Sequence, residues 1–199
     1  MSVQDPYLIP GKSVLRNLIG IDSAKALSTA EADLVNARTI QLMDSENTRL
    51  PNSRDFKELS AIHFHLFQDI YDWAGKLRTI DMRRGDGEFF APCIYLERNL
   101  ISLSSQLAEK NFLRIKDRST FIRELTYFYD HLNWIHPFRE GNGRTQRHFW
   151  SRVSADAGWI LDWRPIHGEL DEASRQARED EDFQMLYSVF EKVVATSRT

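Results

Sequence analysis

The sequence has one cysteine, Cys93, in 199 residues, so it cannot form an internal disulfide. It has no apolar run approaching the roughly eighteen residues of a membrane-spanning helix. Its start, MSVQDPYLIP, has no basic region followed by an apolar stretch. The sequence therefore predicts a protein of the reducing cytoplasm that has no membrane segment.

The sequence also lacks an excess of charge of either sign. The chain has 26 basic and 29 acidic residues, a formal net charge of −3, and the two signs are mixed along its length. This balance argues against a nucleic-acid scaffold and a polybasic membrane anchor, because both need a concentrated positive surface. Any polyanion is therefore expected to bind at a local site.

The apolar residues recur mostly at helical spacing, without an internal repeat or a long low-complexity linker. This pattern predicts a single all-α domain with one core. A first helix, capped by Asp22 or Ser23, is predicted to bury Ala26, Ala30 and Leu34. Five stronger helices are predicted from their apolar faces. The first has Phe56, Leu59, Ile62, Leu66, Phe67 and Ile70 and ends near Trp73-Ala74-Gly75, and the second has Leu96, Leu100, Leu103 and Leu107. The third has Phe121, Leu125, Phe128, Leu132 and Ile135; the fourth has Phe149, Trp150, Val153 and Ala157 and ends at Gly158; and the fifth has Phe183, Leu186, Tyr187, Phe190 and Val194.

One segment breaks the helical pattern. RTIDMRRGDGEFFAP, residues 78–92, has β-prone arms around Gly85-Asp86-Gly87 and is predicted to form a β-hairpin. The outer edges of an isolated hairpin remain free to pair with an incoming extended peptide. The alternative is a surface loop without a function of its own.

The stretch HPFREGNGRTQR, residues 136–147, joins two of the predicted helices. Gly141, Asn142 and Gly143 precede a helix expected to begin near Arg144, where unpaired N–H groups and the helix dipole favour an anion. The glycines allow a phosphate to come close, and the side-chain amide of Asn142 can donate to a phosphate oxygen. Taken alone, each of these features is more typical of a structural turn.

The charged residues of the same stretch complete a set of groups for phosphate chemistry. Arg144 and Arg147 lie three apart and share a helix face that can contact one polyphosphate. Glu140 is an oxygen ligand suited to Mg²⁺. His136 can remove a proton from an attacking hydroxyl at neutral pH. A base, a metal ligand, an anion cradle and paired arginines in one loop indicate a phosphoryl or nucleotidyl transferase.

HPFREGNGRTQR also matches, at each defining position, the Fic (filamentation induced by cAMP) motif His-x-Phe-x-Asp/Glu-Gly-Asn-Gly-Arg-x-x-Arg. DPYLIPG, IYDWAGKLR and the hairpin are similar to the short bacterial Fic toxins, so the resemblance covers most of the chain. It implies one Fic domain over residues 1–199, all-α with a β-hairpin flap at about 78–92 and the motif loop at 136–147. In that family the flap registers the backbone of a target protein by β-strand pairing.

The resemblance implies adenylylation, the transfer of AMP from ATP to a Ser, Thr or Tyr hydroxyl of a target protein. Carried over by position, the roles are a general base, His136; a Mg²⁺ ligand, Glu140; a phosphate cradle, Gly141, Asn142 and Gly143; a contact to the phosphate chain, Arg144; and a contact to the γ-phosphate, Arg147. The adenine pocket is expected between the flap and the segment after Gly158.

Fic enzymes are commonly restrained by a helix bearing Ser/Thr-x-x-x-Glu-Gly/Asn. Glu46-Asn47 has Leu42 four residues earlier, and Glu140-Gly141 has His136 there, so neither fits the pattern. The resemblance therefore implies a small antitoxin whose glutamate is aimed at Arg147. The alternative is an enzyme without a brake, as in some secreted effectors. The expected targets are the B subunits of DNA gyrase and topoisomerase IV.

Other functions stay open at this stage. Fic-like folds also transfer phosphate, as in Doc toxins, and UMP or phosphocholine, although Doc carries a lysine in place of Gly143. A helical binding module with a purely structural glycine turn is a further alternative. A metal site at His63-x-His65 is not supported, because residues two apart on a helix do not face each other. His131 is interpreted as a packed or surface side chain.

Overall fold

The computed structural model describes residues 5–43, 49–85, 87–166 and 168–196. The helices in these ranges are α1 (Ala24–Met43), α2 (Phe56–Phe67), α3 (Leu96–Glu109), α4 (Arg118–Ile135), α5 (Asn142–Ala157), α6 (Glu169–Glu179) and α7 (Gln184–Val193). Two short strands, β1 (Trp159–Leu161) and β2 (Val194–Thr196), pair antiparallel with Ile160 opposite Ala195. The predicted all-α class is confirmed. No helix in the described ranges combines the length and apolar character that crossing a membrane requires.

The helix before the motif, α4, has the predicted position and face. Its N-terminus is capped by Asp117, whose Oδ1 accepts a hydrogen bond from Thr120 N at 2.9 Å. All five predicted apolar positions of α4, from Phe121 to Ile135, are buried. This helix packs against α3, α5, α6 and α7, so its C-terminal end is held at the centre of the fold.

The helix after the motif, α5, also follows its prediction. Phe149, Trp150, Val153 and Ala157 are buried, and Gly158 ends the helix in the left-handed conformation. The same helix packs against α2 and α4. The motif loop is therefore fixed at both ends by core helices.

Helix α2 buries its predicted face except for Phe56, which is partly buried, and it is shorter than expected. Asp55 caps it by accepting hydrogen bonds from the backbone of Lys57 and Glu58. It ends at Phe67, and the chain then passes through turns to Gly75, which has a φ of +77°. Ile70 remains in the core outside the helix.

The register of α1 differs from its prediction. The structure buries Leu27, Glu31 and Val35 rather than a stripe through Ala26, Ala30 and Leu34. A buried glutamate is unexpected from a pattern of apolar residues, because it requires partners on other elements. Those partners lie in the site described below.

The C-terminal part of the chain contains elements that the sequence pattern did not predict. Helix α6 is largely polar and buries Leu170, Ala173 and Ala177, which form a narrow apolar stripe. Val194, predicted to continue the last helix, instead begins β2 and lies opposite Leu161. The strand pairing is long-range and therefore leaves little local signal.

The predicted hairpin, called the flap (residues 78–92) below, has an antiparallel bridge between Arg83 and Phe89. Phe90 N also donates to Met82 O at 3.0 Å. No regular strand forms among the described residues of the flap, and the two-stranded sheet lies instead at β1 and β2. Asp86, at the predicted centre, lies outside the described residues, as does the Glu46-Asn47 pair.

Candidate active site

The motif loop brings the end of α4, His136 and the N-terminus of α5 to one cavity. Helix α4 ends at Ile135, His136 takes left-handed angles with φ 47°, and α5 begins after Gly141, which has φ 81°. The cavity has a volume of about 400 Å³, and its lining includes His136, Glu140, the glycines of the motif and both motif arginines. The N-terminus of α5 therefore opens into this space.

His136 lines the cavity, and its hydrogen bond indicates which ring nitrogen carries the proton. Its Nδ1 lies 3.3 Å from Asn133 O. Since a carbonyl oxygen can only accept, Nδ1 carries the proton and Nε2 is left as the acceptor. The ring stacks on Phe90 with centroids 3.7 Å apart and planes within 10°. Burial lowers the pKa of His136 from 6.5 to about 3, so the imidazole is neutral at physiological pH.

The N-terminus of α5 is prepared for an anion. Its first backbone N–H groups have no partner within the helix, and the dipole places positive charge there. A Cβ added at Gly143 would meet nothing within 4 Å, so this position leaves open space beside the N–H groups. At Gly141 a Cβ would lie 2.2 Å from Phe67 Cζ, and the backbone is left-handed. A side chain is therefore excluded by packing and backbone conformation at Gly141 but not at Gly143.

Two carboxylates share Arg144. Its NH2 donates to Glu31 Oε1 at 2.5 Å and to Glu140 Oε1 at 3.3 Å, and its guanidinium lies over the Phe67 ring. Glu31 also accepts a hydrogen bond from the Tyr71 hydroxyl. Burial, reinforced by that bond, raises the pKa of Tyr71. The buried glutamate of α1 thus contacts a lining residue of the candidate site, Arg144.

Arg147 has different surroundings. It lines the same cavity, yet no described residue forms an ion pair or a side-chain hydrogen bond with it. Its charge is therefore available to a ligand. The two arginines of the motif face one space, one already engaged by carboxylates and one not.

Comparison with known proteins gives the family. A family model described as the Fic/DOC family matches residues 54–153. The chain belongs to the Fic/DOC family. A probable protein adenylyltransferase Fic of Salmonella typhimurium is 36% identical over 199 residues, which cover 98% of this chain and 94% of that protein. The protein adenylyltransferase VbhT of Bartonella schoenbuchensis is also 36% identical, over 80% of this chain and 32% of its own length.

Solved structures of Fic proteins share the fold over the whole chain. The effector BepC of Bartonella tribocorum, solved with bound AMPPNP, has a TM-score of 0.91 at 25% identity and covers 100% of both chains. The N-terminal Fic domain of a Bep effector from Bartonella quintana, solved with bound ADP, has a TM-score of 0.90 at 26% identity, covering 96% of this chain and 95% of its own. These findings confirm the predicted family, fold and enzyme class of protein adenylyltransferase.

Asn142 differs from its predicted use in this Fic protein. The residue is buried, its Nδ2 donates to Phe138 O at 2.7 Å, and its Oδ1 accepts from Phe138 N at 2.9 Å. The side chain therefore closes the motif loop on itself. Phe138 is fully buried, as predicted for a core anchor. The geometry favours a contribution of Asn142 to phosphate binding through its backbone N–H.

His63, which the sequence offered only as an unsupported metal ligand, is a buried support of the motif loop in this Fic protein. Its ring stacks on Phe138 at 3.9 Å, its Nε2 donates to Glu140 O at 2.9 Å, and its Nδ1 accepts from Gly75 N at 2.8 Å. Burial lowers the pKa of His63 to about 4. No group of three or more potential metal-ligating side chains occurs among the residues that the structure describes.

Arg139, to which the sequence assigned no function, ties the N-terminal segment to the loop. Its Nε and NH2 donate to Asp5 Oδ2 at 3.2 and 2.8 Å. The adjacent Tyr7 accepts a hydrogen bond at its hydroxyl oxygen from Thr79 N, at the base of the flap. The DPY stretch therefore connects the motif loop to the flap.

The remaining wall of the cavity comes from the flap and from the segment after Gly158. Met82 and Arg84 contribute from the flap, and Trp163, Ile166 and Leu170 contribute from the far side. Arg84 NH1 donates to Asp171 O at 3.0 Å, which joins the flap to α6. This partly apolar region is where the sequence predicted an adenine pocket, and the sequence pattern named none of its residues.

Proposed function

We propose that this Fic protein transfers AMP from ATP to a hydroxyl side chain of a target protein, with residues 1–199 acting as one Fic domain. The observation that carries the proposal is that His136, with its Nδ1 against Asn133 O, lines a cavity that is also lined by the N-terminus of α5 and two arginines. In the reaction, the hydroxyl oxygen bonds to the α-phosphorus and its proton passes to Nε2. The bond from the α-phosphorus to the bridging oxygen breaks, and pyrophosphate leaves.

The proposed base is in its active protonation state at neutral pH. A pKa of about 3 leaves the imidazole almost wholly neutral, so no proton needs to be removed before reaction. The same low pKa makes His136 a weak base towards a free alcohol. Proton transfer therefore has to accompany formation of the bond to phosphorus, when the hydroxyl becomes acidic.

The phosphate chain is proposed to bind at the N-terminus of α5. The open space at Gly143 permits close approach to the backbone N–H groups, and Arg147 carries a charge without an ion-pair partner among the described residues. Arg144 has to exchange carboxylate for phosphate contacts when ATP binds. We assign Arg147 to the γ-phosphate and Arg144 to the phosphate chain.

The carboxylate of Glu140 fits a magnesium ligand. The side chain is 43% exposed and lines the cavity, and its bonds to Gly141 N and Arg144 both use Oε1. Mg²⁺ is usually held by one or two carboxylates together with phosphate oxygens and water, so a single acid beside the phosphate site suffices. When bound, Mg²⁺ would neutralise the charge that builds up on the pyrophosphate.

The base of ATP is proposed to bind between Met82 of the flap and the far wall formed by Trp163, Ile166 and Leu170. These side chains offer an apolar surface beside a largely polar phosphate site, as nucleotide pockets require. The AMPPNP and ADP bound in the structures of related Fic proteins support nucleotide binding by this fold.

The target protein is proposed to dock on the flap by β-strand pairing. The bridge between Arg83 and Phe89 shows that the arms run antiparallel, and Phe89 is 62% exposed. By family resemblance, we propose the B subunits of DNA gyrase and topoisomerase IV as targets. We also propose a toxin–antitoxin pair in which a small antitoxin presents a glutamate to Arg147, since no described carboxylate pairs with that residue. The alternative is a secreted effector without an inhibitor, because the related Bep proteins are named as translocated effectors.

The proposal is tested by intact-protein mass spectrometry after mixing the chain with ATP, Mg²⁺ and a purified gyrase B subunit. We expect an added AMP mass on gyrase that disappears with His136→Ala. His131→Ala is the matched control, because His131 lies in α4, whose C-terminal cap is His136, and packs against Tyr127 and Trp134 instead of lining the cavity.

If gyrase carries no adduct, bacterial lysate with α-labelled and γ-labelled ATP in parallel separates the remaining possibilities. Transfer of the α-label that requires His136 would keep the chemistry and change the target. Transfer of the γ-label would overturn adenylylation in favour of a kinase. Absence of both labels would favour a binding module.

A further inference from the structure

Arg78 is a buried charge at the junction of the flap and the motif loop. Its side chain has no exposed surface, and the nearest carboxylate, that of Asp81, is 4.0 Å away and exposed. Burial lowers the pKa of Arg78, the direction expected for a cation without a close counter-ion. A charge in this position is costly unless it is fully hydrogen-bonded, so its partners indicate its purpose.

Those partners are all backbone carbonyls, and they come from two elements. Nε donates to His136 O at 2.8 Å and NH2 to Ile135 O at 3.2 Å, which are the last carbonyls of α4 and its cap. NH1 donates to Ile80 O at 2.6 Å and NH2 to Ala91 O at 2.5 Å, one in each arm of the flap. One guanidinium therefore holds both arms of the flap against the backbone of His136.

The flap also contacts the side chain of His136. Phe90 stacks on the imidazole at 3.7 Å, and the next residue, Ala91, donates from its N–H to Trp134 O at 3.0 Å. The backbone of His136 is fixed by Arg78 and its ring by Phe90. Both contacts act on the residue proposed as the general base.

We propose that Arg78, together with Phe90, is a positioning element that sets the register between the flap and His136. This inference rests on the proposed function. A target backbone paired with the flap is placed relative to the flap carbonyls, and Arg78 ties those carbonyls to the turn that carries His136. The position of the target hydroxyl is thereby fixed relative to the Nε2 that accepts its proton.

The planar, forked arrangement of N–H groups on the guanidinium is required to hold the flap and the motif loop together. Four of its five N–H groups are used, in directions that an ammonium group cannot reproduce. Lysine keeps the charge and most of the volume but loses the simultaneous bonds to flap and loop. Arg78→Lys therefore loosens the register while leaving the phosphate site on α5 in place.

The first test does not depend on catalysis. In the uniformly ¹⁵N-labelled full chain, we expect one neutral His136 signal set at pH 7 with Nδ1 protonated. In Arg78→Lys we expect exchange between tautomers and faster hydrogen exchange at the Ala91 amide. Arg98→Lys, a change at an exposed arginine of α3, serves as the control and should match the original protein. Unchanged His136 signals in Arg78→Lys would overturn the proposal.

The second test separates positioning from a general structural effect. For Arg78→Lys we expect the Kd of AMPPNP to stay within about twofold, and the rate of AMP transfer to gyrase B at saturating ATP to fall on the order of 100-fold, the cost of a small misplacement of reacting groups. Loss of AMPPNP affinity in step with activity, or retention of full activity, would contradict the inference.

A third variant covers the case in which Arg78→Lys does not fold. Phe90→Leu keeps all four bonds of Arg78 and removes only the ring stack, and it should show the same pattern of intact AMPPNP binding with slower transfer. Unchanged transfer by Phe90→Leu would remove Phe90 from the proposal. If the original protein transfers nothing to gyrase B, the proposed target fails, and the ¹⁵N measurement still decides the inference.

Discussion

Two glycines of one motif are expected to respond in opposite ways to alanine. Gly141 has a φ of +81°, and a Cβ there would lie 2.2 and 2.4 Å from the Cζ and Cε2 atoms of Phe67, whose ring is fully buried. Gly143 lies within α5, and a Cβ there would meet nothing within 4 Å. The first substitution affects the folded state, and the second affects what the folded state can bind.

The magnitudes follow from these contacts. A left-handed non-glycine residue costs about 1–2 kcal/mol, and moving a packed aromatic ring to admit a methyl group costs about 1–3 kcal/mol. Gly141→Ala should therefore lower the free energy of unfolding by about 2–5 kcal/mol, a large share of the roughly 5–15 kcal/mol typical of a domain. Gly143→Ala should leave it unchanged or raise it by up to about 1 kcal/mol, because alanine is the better helix former.

Urea unfolding followed by circular dichroism measures the first effect, with the midpoint compared at constant slope. Calorimetric titration with AMPPNP measures the second. Gly143→Ala should bind the nucleotide more weakly, since its methyl group occupies space at the phosphate site. An unchanged midpoint for Gly141→Ala would refute the packing argument, and unchanged AMPPNP affinity for Gly143→Ala would refute the proposed phosphate cradle.

Three further outcomes are expected. Arg147→Ala should change the free energy of unfolding by less than about 1 kcal/mol, because no described ion pair is lost. Steady-state kinetics of this variant should show a raised KM for ATP. Destabilisation without a kinetic effect would contradict the assignment of Arg147 to the γ-phosphate. Glu58→Ala should lower the midpoint of urea unfolding by the equivalent of about 3 kcal/mol, because Glu58 is fully buried and accepts from Arg54 and Arg152. His63 has a folded pKa of about 4 against 6.5 in the unfolded chain, so only the unfolded chain gains this proton as pH falls from 6.5 to 4. Of the stability lost across that range, to which His136 and His148 also contribute, His63 should account for up to about 3 kcal/mol, and His63→Gln should reduce the slope by that share.

Much of the fold could be predicted from the sequence because its core helices carry regular apolar stripes. The leucines of α3 and the predicted Phe, Leu and Ile positions of α4 repeat every three or four residues, and the structure buries them as expected. The motif loop was found for a different reason, since its chemistry is concentrated in twelve consecutive residues. Local regularity and local concentration are both visible without knowledge of tertiary contacts.

The missed elements depend on contacts between distant residues. The pairing of Ile160 with Ala195 has no local pattern, and α6 exposes so much polar surface that its narrow buried stripe is a weak signal. The same holds for Arg78, whose acceptors Ile80, Ala91 and His136 come together only in the folded chain. Sequence reasoning therefore found the groups proposed to react and missed the groups that hold them in place.

The two motif arginines show why residue spacing alone does not define their roles. Their separation of three residues predicts a shared face, and both line the cavity. Arg144, however, meets Glu31 from α1, a partner 113 residues away in sequence, whereas Arg147 meets no described carboxylate. Under the proposed mode of ATP binding, a phosphate would compete with Glu31 for Arg144 and would bind Arg147 without competition from a described carboxylate. We therefore expect Arg147 to be the stronger initial attraction for a polyphosphate, and Arg144 to be engaged once its carboxylate partners yield.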